Sequence, residues 1–256
     1  MWKLRDWIDP KRLTKFLSSN PRAGAYLEQN PEKIDWTYLS SNPSAIHLLE
    51  QNQDKIDWTY LSLNPAAIRL LERNLDKISW TNLSLNPAAM HLLEQNPDKI
   101  NWFCLCENPE AIPLLQKNPY QIDWEWLSLN PAAIKMLEEN PDEIEWIYLS
   151  LNPAATKLLE ANPDKIDWIF LSKNPGAIQL LTQNPDKISW FHLSNNSAAL
   201  SLLEQNQDKI VWEQLSINPG IFVYDYKSMS RPFTEELMQN RFHPDNMDKF
   251  EAWGYE

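Results

Sequence analysis

The sequence predicts an all-α fold: an α-solenoid of nine 22-residue repeats, each made of two short helices, with a cap at either end. Three observations predict it. One sentence returns every 22 residues across 20–217 without an insertion or deletion; at 130–151 it reads NPAAIKMLEENPDEIEWIYLSL. Fixed apolar columns run through every copy, with Trp at 36, 58, 80 and onward to 212, and Leu from 17 to 215. Most of the 19 prolines directly follow Asn.

Asn-Pro is a helix-start signal. The Asn side chain accepts from an orphan backbone N–H, and Pro at the first helical position sacrifices no bond. Each unit carries two such positions, as at Asn42-Pro43 and Asn162-Pro163, so two helices of about 12–15 Å are expected per unit. Helices this short are unstable alone and must be held by stacking. In the first helix Ala45, Ile46, Leu48 and Leu49 cover one side, and His47, Glu50 and Gln51 the other. In the second, Ile34 and Tyr38 oppose Trp36 and Leu39, so that helix needs cover on two sides. The Ala column from Ala23 to Ala199 lets neighbouring backbones come close. At about 8–10 Å per packed helix, nine units predict a curved body about 80–90 Å long.

Residues 1–19 read as an N-terminal cap. Trp2, Leu4 and Trp7 are its apolar points, and Asp9-Pro10 repeats the capping device. The first full unit is degenerate, with Gly24 for Ile and Tyr26 for Leu, as expected where a terminal unit meets solvent. Residues 20–217 are the array and 218–256 the C-terminal cap. In that cap 221–226 (IFVYDY) is extended, 232–242 is a helix, and His243-Pro244 opens a last helix that stops near Gly254.

Catalytic chemistry is not expected, nor any metal or cofactor. His47 and His91 share a column two units apart, and Cys104 and Cys106 lack the second ligand pair of a structural zinc site. Serine recurs at one position of nearly every unit, which marks architecture rather than a nucleophile. The formal charge of −12 argues against nucleic acid as a partner. No apolar run reaches the length of a membrane span, and the first ten residues lack a signal-peptide core, so an intracellular location is expected.

The Trp column is expected to form inter-unit core, because each indole buries a large area and Leu follows three residues later. Binding is then left to the variable columns over a fixed core. The stretch 102–126 departs most from the repeat and supplies Phe103, Cys104, Glu107, Pro113, Tyr120 and Trp126. The columns after each Trp supply Thr59-Tyr60, Phe103-Cys104, Glu125-Trp126, Ile147-Tyr148 and Phe191-His192, and the outer side of the first helix supplies His47, Arg69, His91, Pro113, Lys135 and Lys157. Pro113, inside a short helix, is expected to remove a backbone bond and perturb it. A protein partner fits these surfaces best, with a peptide-binding adaptor as the second reading.

The motif NPxAIxLLExNPDKIxWxxLSxNP resembles the tandem repeats of proteins encoded by nucleocytoplasmic large (giant) DNA viruses. The ending does too: VYDYKSM, then EEL, then an HP-containing helix that closes on Trp253-Gly254-Tyr255. The resemblance spans essentially the whole chain. It implies a viral protein made in the host cytoplasm or carried in the virion, and it supplies no catalytic residues.

Overall fold

The computed structural model describes residues 2–225; the two helices expected within 232–256 lie outside the described residues. The chain forms the all-α repeat solenoid. Most units, however, hold four short pieces rather than two helices. In the unit that begins at Asn42 these are a 3-10 turn Pro43–Ala45, a helix Ile46–Gln51, a second 3-10 turn Gln53–Lys55 and a helix Trp58–Leu61.

The two Asn columns do different work. Asn42 caps the first turn, its side chain accepting from the Ser44 N–H at 2.9 Å. The second column was expected both to cap in the same way and to end the preceding helix; it does the second and not the first. Asn52 has φ −132° and ψ 54°, and its Nδ2 donates back to the Leu48 carbonyl at 2.9 Å. It therefore closes the preceding helix by satisfying one of its orphan carbonyls. The Trp helix is capped instead five residues after Asn52, where Asp57 accepts from the Thr59 and Tyr60 N–H groups. Asp35, Asn101, Asp123 and Asp167 act likewise. Pro113 also departs from expectation. It falls in the first turn of Ile112–Lys117, where its missing N–H has no helical partner to lose, so the helix runs on unperturbed.

Three apolar columns make the core. Leu39 and its counterparts, Leu49 and its counterparts, and the Ala45 column are all sealed from solvent. The small Ala side chain lets successive Pro-x-Ala turns stack directly. The indoles are half-buried and pack on this core. Their outer faces carry the lysine of the next unit: Lys55 lies 4.5 Å above Trp36, Lys77 4.5 Å above Trp58, Lys187 4.4 Å above Trp168 and Lys209 4.6 Å above Trp190. The Trp column is thus inter-unit packing with a cationic lid.

Polar bonds set the spacing between units. Each capping Asn is buried, and its Nδ2 donates to two carbonyls of the unit before, 24 and 22 residues back. Asn64 reaches Ser40 O and Asn42 O, both at 3.0 Å, and Asn130 reaches Cys106 O at 2.8 Å and Asn108 O at 2.9 Å. The serine of Leu-Ser accepts the N–H of the residue before the next Trp, as Ser40 Oγ does from Asp57 at 3.0 Å, while donating to Trp36 O at 2.8 Å.

These ladders do not end at the termini. Asn20 Nδ2 donates to Ser216 O and Asn218 O, both at 3.0 Å, as if it followed Asn218 in sequence. Thr14 N–H donates to Ser216 Oγ at 3.0 Å, and the Arg12 guanidinium lies 4.1 Å above Trp212. The N-terminal segment therefore serves as a tenth unit, and the solenoid closes into a ring. A short antiparallel pair, β1 (Trp2–Leu4) with β2 (Phe222–Tyr224), fastens the seam, with Leu4 opposite Phe222. Strand β2 falls within the segment 221–226 expected to be extended, although Ile221 closes the turn Pro219–Ile221 and residue 226 lies outside the described residues; its partner β1 was not expected as a strand. The 80–90 Å open body is corrected by this closure. Terminal degeneracy also has another cause than solvent. A Cβ at Gly24 would meet the Ser44 carbonyl at 2.5 Å, and the Tyr26 ring lies 6.0 Å from Phe222 at the seam.

Replacing a ladder amide such as Asn130 leaves one buried carbonyl, Cys106 O, and the Ala132 N–H unpaired, while Asn108 O keeps the Ala111 N–H. Asn130→Leu is expected to lower the unfolding free energy by about 3 kcal/mol or more, read from urea denaturation. Cys106 stands in the Ser column: its Sγ accepts from the Asp123 N–H at 3.3 Å, a longer version of the serine's bond, and its thiol donates to Gln121 O at 3.9 Å where a serine donates to the Trp carbonyl. Cys106→Ser is expected to stabilise by about 0.5–1 kcal/mol in the same measurement; a loss would show that the pocket needs the larger atom.

Candidate interaction surface

The Trp helix offers one face that is neither core nor junction. It is built from the residues one, two and five places after each Trp. At 100° per residue these fall within one broad sector, opposite the buried Leu.

The residue directly after Trp is the most exposed. It is Thr37, Thr59 and Thr81 in the early units, then Phe103, Glu125, Ile147, Ile169, Phe191 and Glu213. Phe103, Ile147, Ile169 and Phe191 are 46%, 45%, 55% and 48% exposed. Ile147, Ile169 and Phe191 belong to successive units and form an apolar arc with Glu125 at one end and Glu213 at the other.

The residue two after Trp carries rings. Phe16 and Tyr38 have centroids 4.7 Å apart, Tyr38 and Tyr60 5.9 Å, Trp126 and Tyr148 6.3 Å, and Phe170 and His192 6.0 Å. Asn82 and Cys104 interrupt this ladder, and Phe103 restores it by packing 4.5 Å from Trp126. Glu125 acts on the Tyr148 hydroxyl through a hydrogen bond and its charge, and both raise the phenol pKa. Burial lowers the His192 pKa, with help from the Lys173 charge.

The residue five after Trp forms a further column, and Glu107 and Lys173 both hold it, three units apart. Burial raises the Glu107 carboxyl and the Lys173 charge pulls it back down. Leu63, Leu85, Leu129, Leu151 and Ile217 share the position, and all are half-buried.

The sequence-derived candidates divide between two places. Phe103, Cys104, Glu107 and Trp126 come together on the Trp-helix face. His47, Arg69, His91, Lys135 and Lys157 lie exposed on the outer side of the first helices. There His47 pairs with Glu28 and His91 with Glu72, each across a junction, while Lys135 reaches Glu139 at 3.9 Å. Pro113 stands exposed in the same first-helix column, between His91 and Lys135, and Tyr120 joins neither cluster: it stands fully exposed on the turn Pro119–Gln121. The columns after Trp, expected to carry binding, include Ile147 and Phe191 among the residues named; Ile169 and the column five after Trp were not singled out by sequence reasoning.

Among the described residues no group of three His, Cys, Asp or Glu is placed to hold a metal ion, and no helix is long and apolar enough to cross a membrane. Burial raises both cysteine thiols, with Glu107 adding to the effect at Cys104 and the Asp123 N–H opposing it at Cys106. No family model, curated protein or solved structure matches the chain.

A raised carboxyl pKa means that the folded state binds the proton more tightly than the unfolded chain. Glu107 then favours folding below its unfolded value, about pH 4, and that contribution is lost as the pH rises through the folded value. Glu107→Gln is expected to gain stability over the parent at about pH 7 and to lose that gain toward about pH 4, as followed by urea midpoints at both. A gain that is the same at both pH values would remove the charge as its cause.

Proposed function

We propose that this chain is a non-catalytic repeat scaffold that mediates protein–protein contact through the Trp-helix face of its ring. The observation that carries the proposal is the arc of Ile147, Ile169 and Phe191. Three large apolar side chains stand exposed in register, on helices whose positions are fixed by buried hydrogen bonds. A patch of this kind on a rigid frame marks an interaction surface. Repeat proteins recognise partners in the same way, through variable columns on an invariant core.

The second reading, a peptide-binding adaptor that recruits a host factor, draws on the ring ladder. Trp126 and Tyr148, then Phe170 and His192, line the same face at one-unit intervals, a spacing that suits an extended peptide with hydrophobic anchors. The repeat motif and the tail extend the proposal to a viral setting, as a virion component or a host-interaction protein in the cytoplasm of the infected cell. That extension rests on sequence resemblance alone.

Ile169→Glu with Phe191→Glu changes exposed positions only, so thermal unfolding is expected to shift by less than about 0.5 kcal/mol equivalent. Partners captured by the parent protein from cells that express it are expected to be lost with this variant and kept with Lys135→Glu/Lys157→Glu on the outer side. Loss with the second variant alone would move the interface to the first helices.

A further inference from the structure

Every junction between neighbouring units is held by the same three devices. An Asn amide donates to two carbonyls, a Ser hydroxyl accepts one N–H, and in several units a lysine covers an indole. The seam uses all three, through Asn20, Thr14 and Arg12. It then adds contacts found at no other junction among the described residues. Arg5 Nε donates to Gly220 O at 2.8 Å, Arg22 donates to Pro219 O at 3.2 Å while lying 4.3 Å over Trp2, and β1 pairs with β2.

One difference separates the seam from the rest: no peptide bond crosses it. It is the junction that can part while the units on either side stay whole. Parting would uncover the edge of the last unit, with Ser216, Asn218 and the Trp212 ring wanting partners, together with one side of β2. The surface that satisfies this edge is residues 2–20 of the same sequence, which a second copy carries unchanged. Hydrogen-bond register, the cation over the indole and strand pairing would all be reproduced between chains.

We infer that the seam is a self-recognition site and that a second copy of this chain is its partner, exchanging N-terminal segments so that each ring is completed by its neighbour. Exchange of an identical element is a low-cost route to a dimer, since the bonds made between chains equal those given up within one. The closed monomer and the exchanged dimer then differ chiefly in the entropy of association, and the balance moves with protein concentration. This assignment is independent of the arc on the Trp-helix face.

The register supplies the test, because Lys3 stands opposite Val223, a pairing within disulfide reach. Two full-length variants are made in a Cys104→Ser/Cys106→Ser background, one carrying Lys3→Cys and the other Val223→Cys, each checked for helical circular dichroism. They are mixed at high concentration under mild oxidation, and the disulfide-linked species are separated by mass. Exchange is expected to give the Lys3→Cys/Val223→Cys heterodimer about tenfold or more above either homodimer, because seating holds the two thiols at a millimolar effective concentration. A double variant with both substitutions in one chain locks its own seam and sets the time scale. The proposal is overturned if the heterodimer forms only in the statistical ratio of chance collision. It is equally overturned if no link between chains appears while the double variant closes its internal disulfide.

Discussion

The fold depends on a buried primary amide. A backbone carbonyl removed from water must find a donor or cost the molecule the free energy of a missing bond. At each junction two carbonyls of one unit face the next, and a single Asn side chain supplies both donors while its oxygen caps its own unit's first turn. Asp could cap but could not donate, and Gln would place the amide one methylene too far out. With the amide fully bonded, the unit-to-unit spacing is set by hydrogen-bond length rather than by the softer contacts of Leu and Trp. Helices of one or two turns, which have no stability in isolation, become parts of a stiff frame.

The repeat, its period and its helical class were readable because they are written by columns. Leu, Ala and Trp positions obey the helical period, and the structure buries or half-buries them as that period requires. The misreadings share a cause. Asn30, Asn52 and their counterparts look like caps in sequence, since Asn-Pro is an N-terminal signal; they close the previous helix because their backbone lies outside the extended region a cap needs. Pro113 looks like a breaker until the helix start is known to within one residue. Local chemistry fixes which residue types occur and leaves boundaries uncertain by a residue or two, which is enough to reverse the role of a single side chain.

Closure was illegible for a different reason. Nothing in a 22-residue unit states how many units complete a turn. That number follows from the small rotation between neighbours, a sum of many packing angles. The substitutes at the seam are recognisable only afterwards: Thr14 and Arg12 sit one position away from where the repeat would put their counterparts, so no column marks them. Ile147, Ile169 and Phe191 are chemically ordinary in a helix. The variable columns after Trp marked Ile147 and Phe191 as binding candidates, but not how far the fold leaves them exposed.

A ring joined through hydrogen bonds of ordinary length imposes an arithmetic on its own gene. An open array can lengthen or shorten by whole units, because each added copy finds the same neighbour and the ends simply move apart. Here Asn20 must meet Asn218, and a tandem duplication or loss of 22 residues, in frame and correct in every column, would carry the two ends past each other or leave them short. The usual mutational route by which repeat proteins change size is thereby closed to this one, and change is directed instead into the residues beside each tryptophan, where the units differ from one another most.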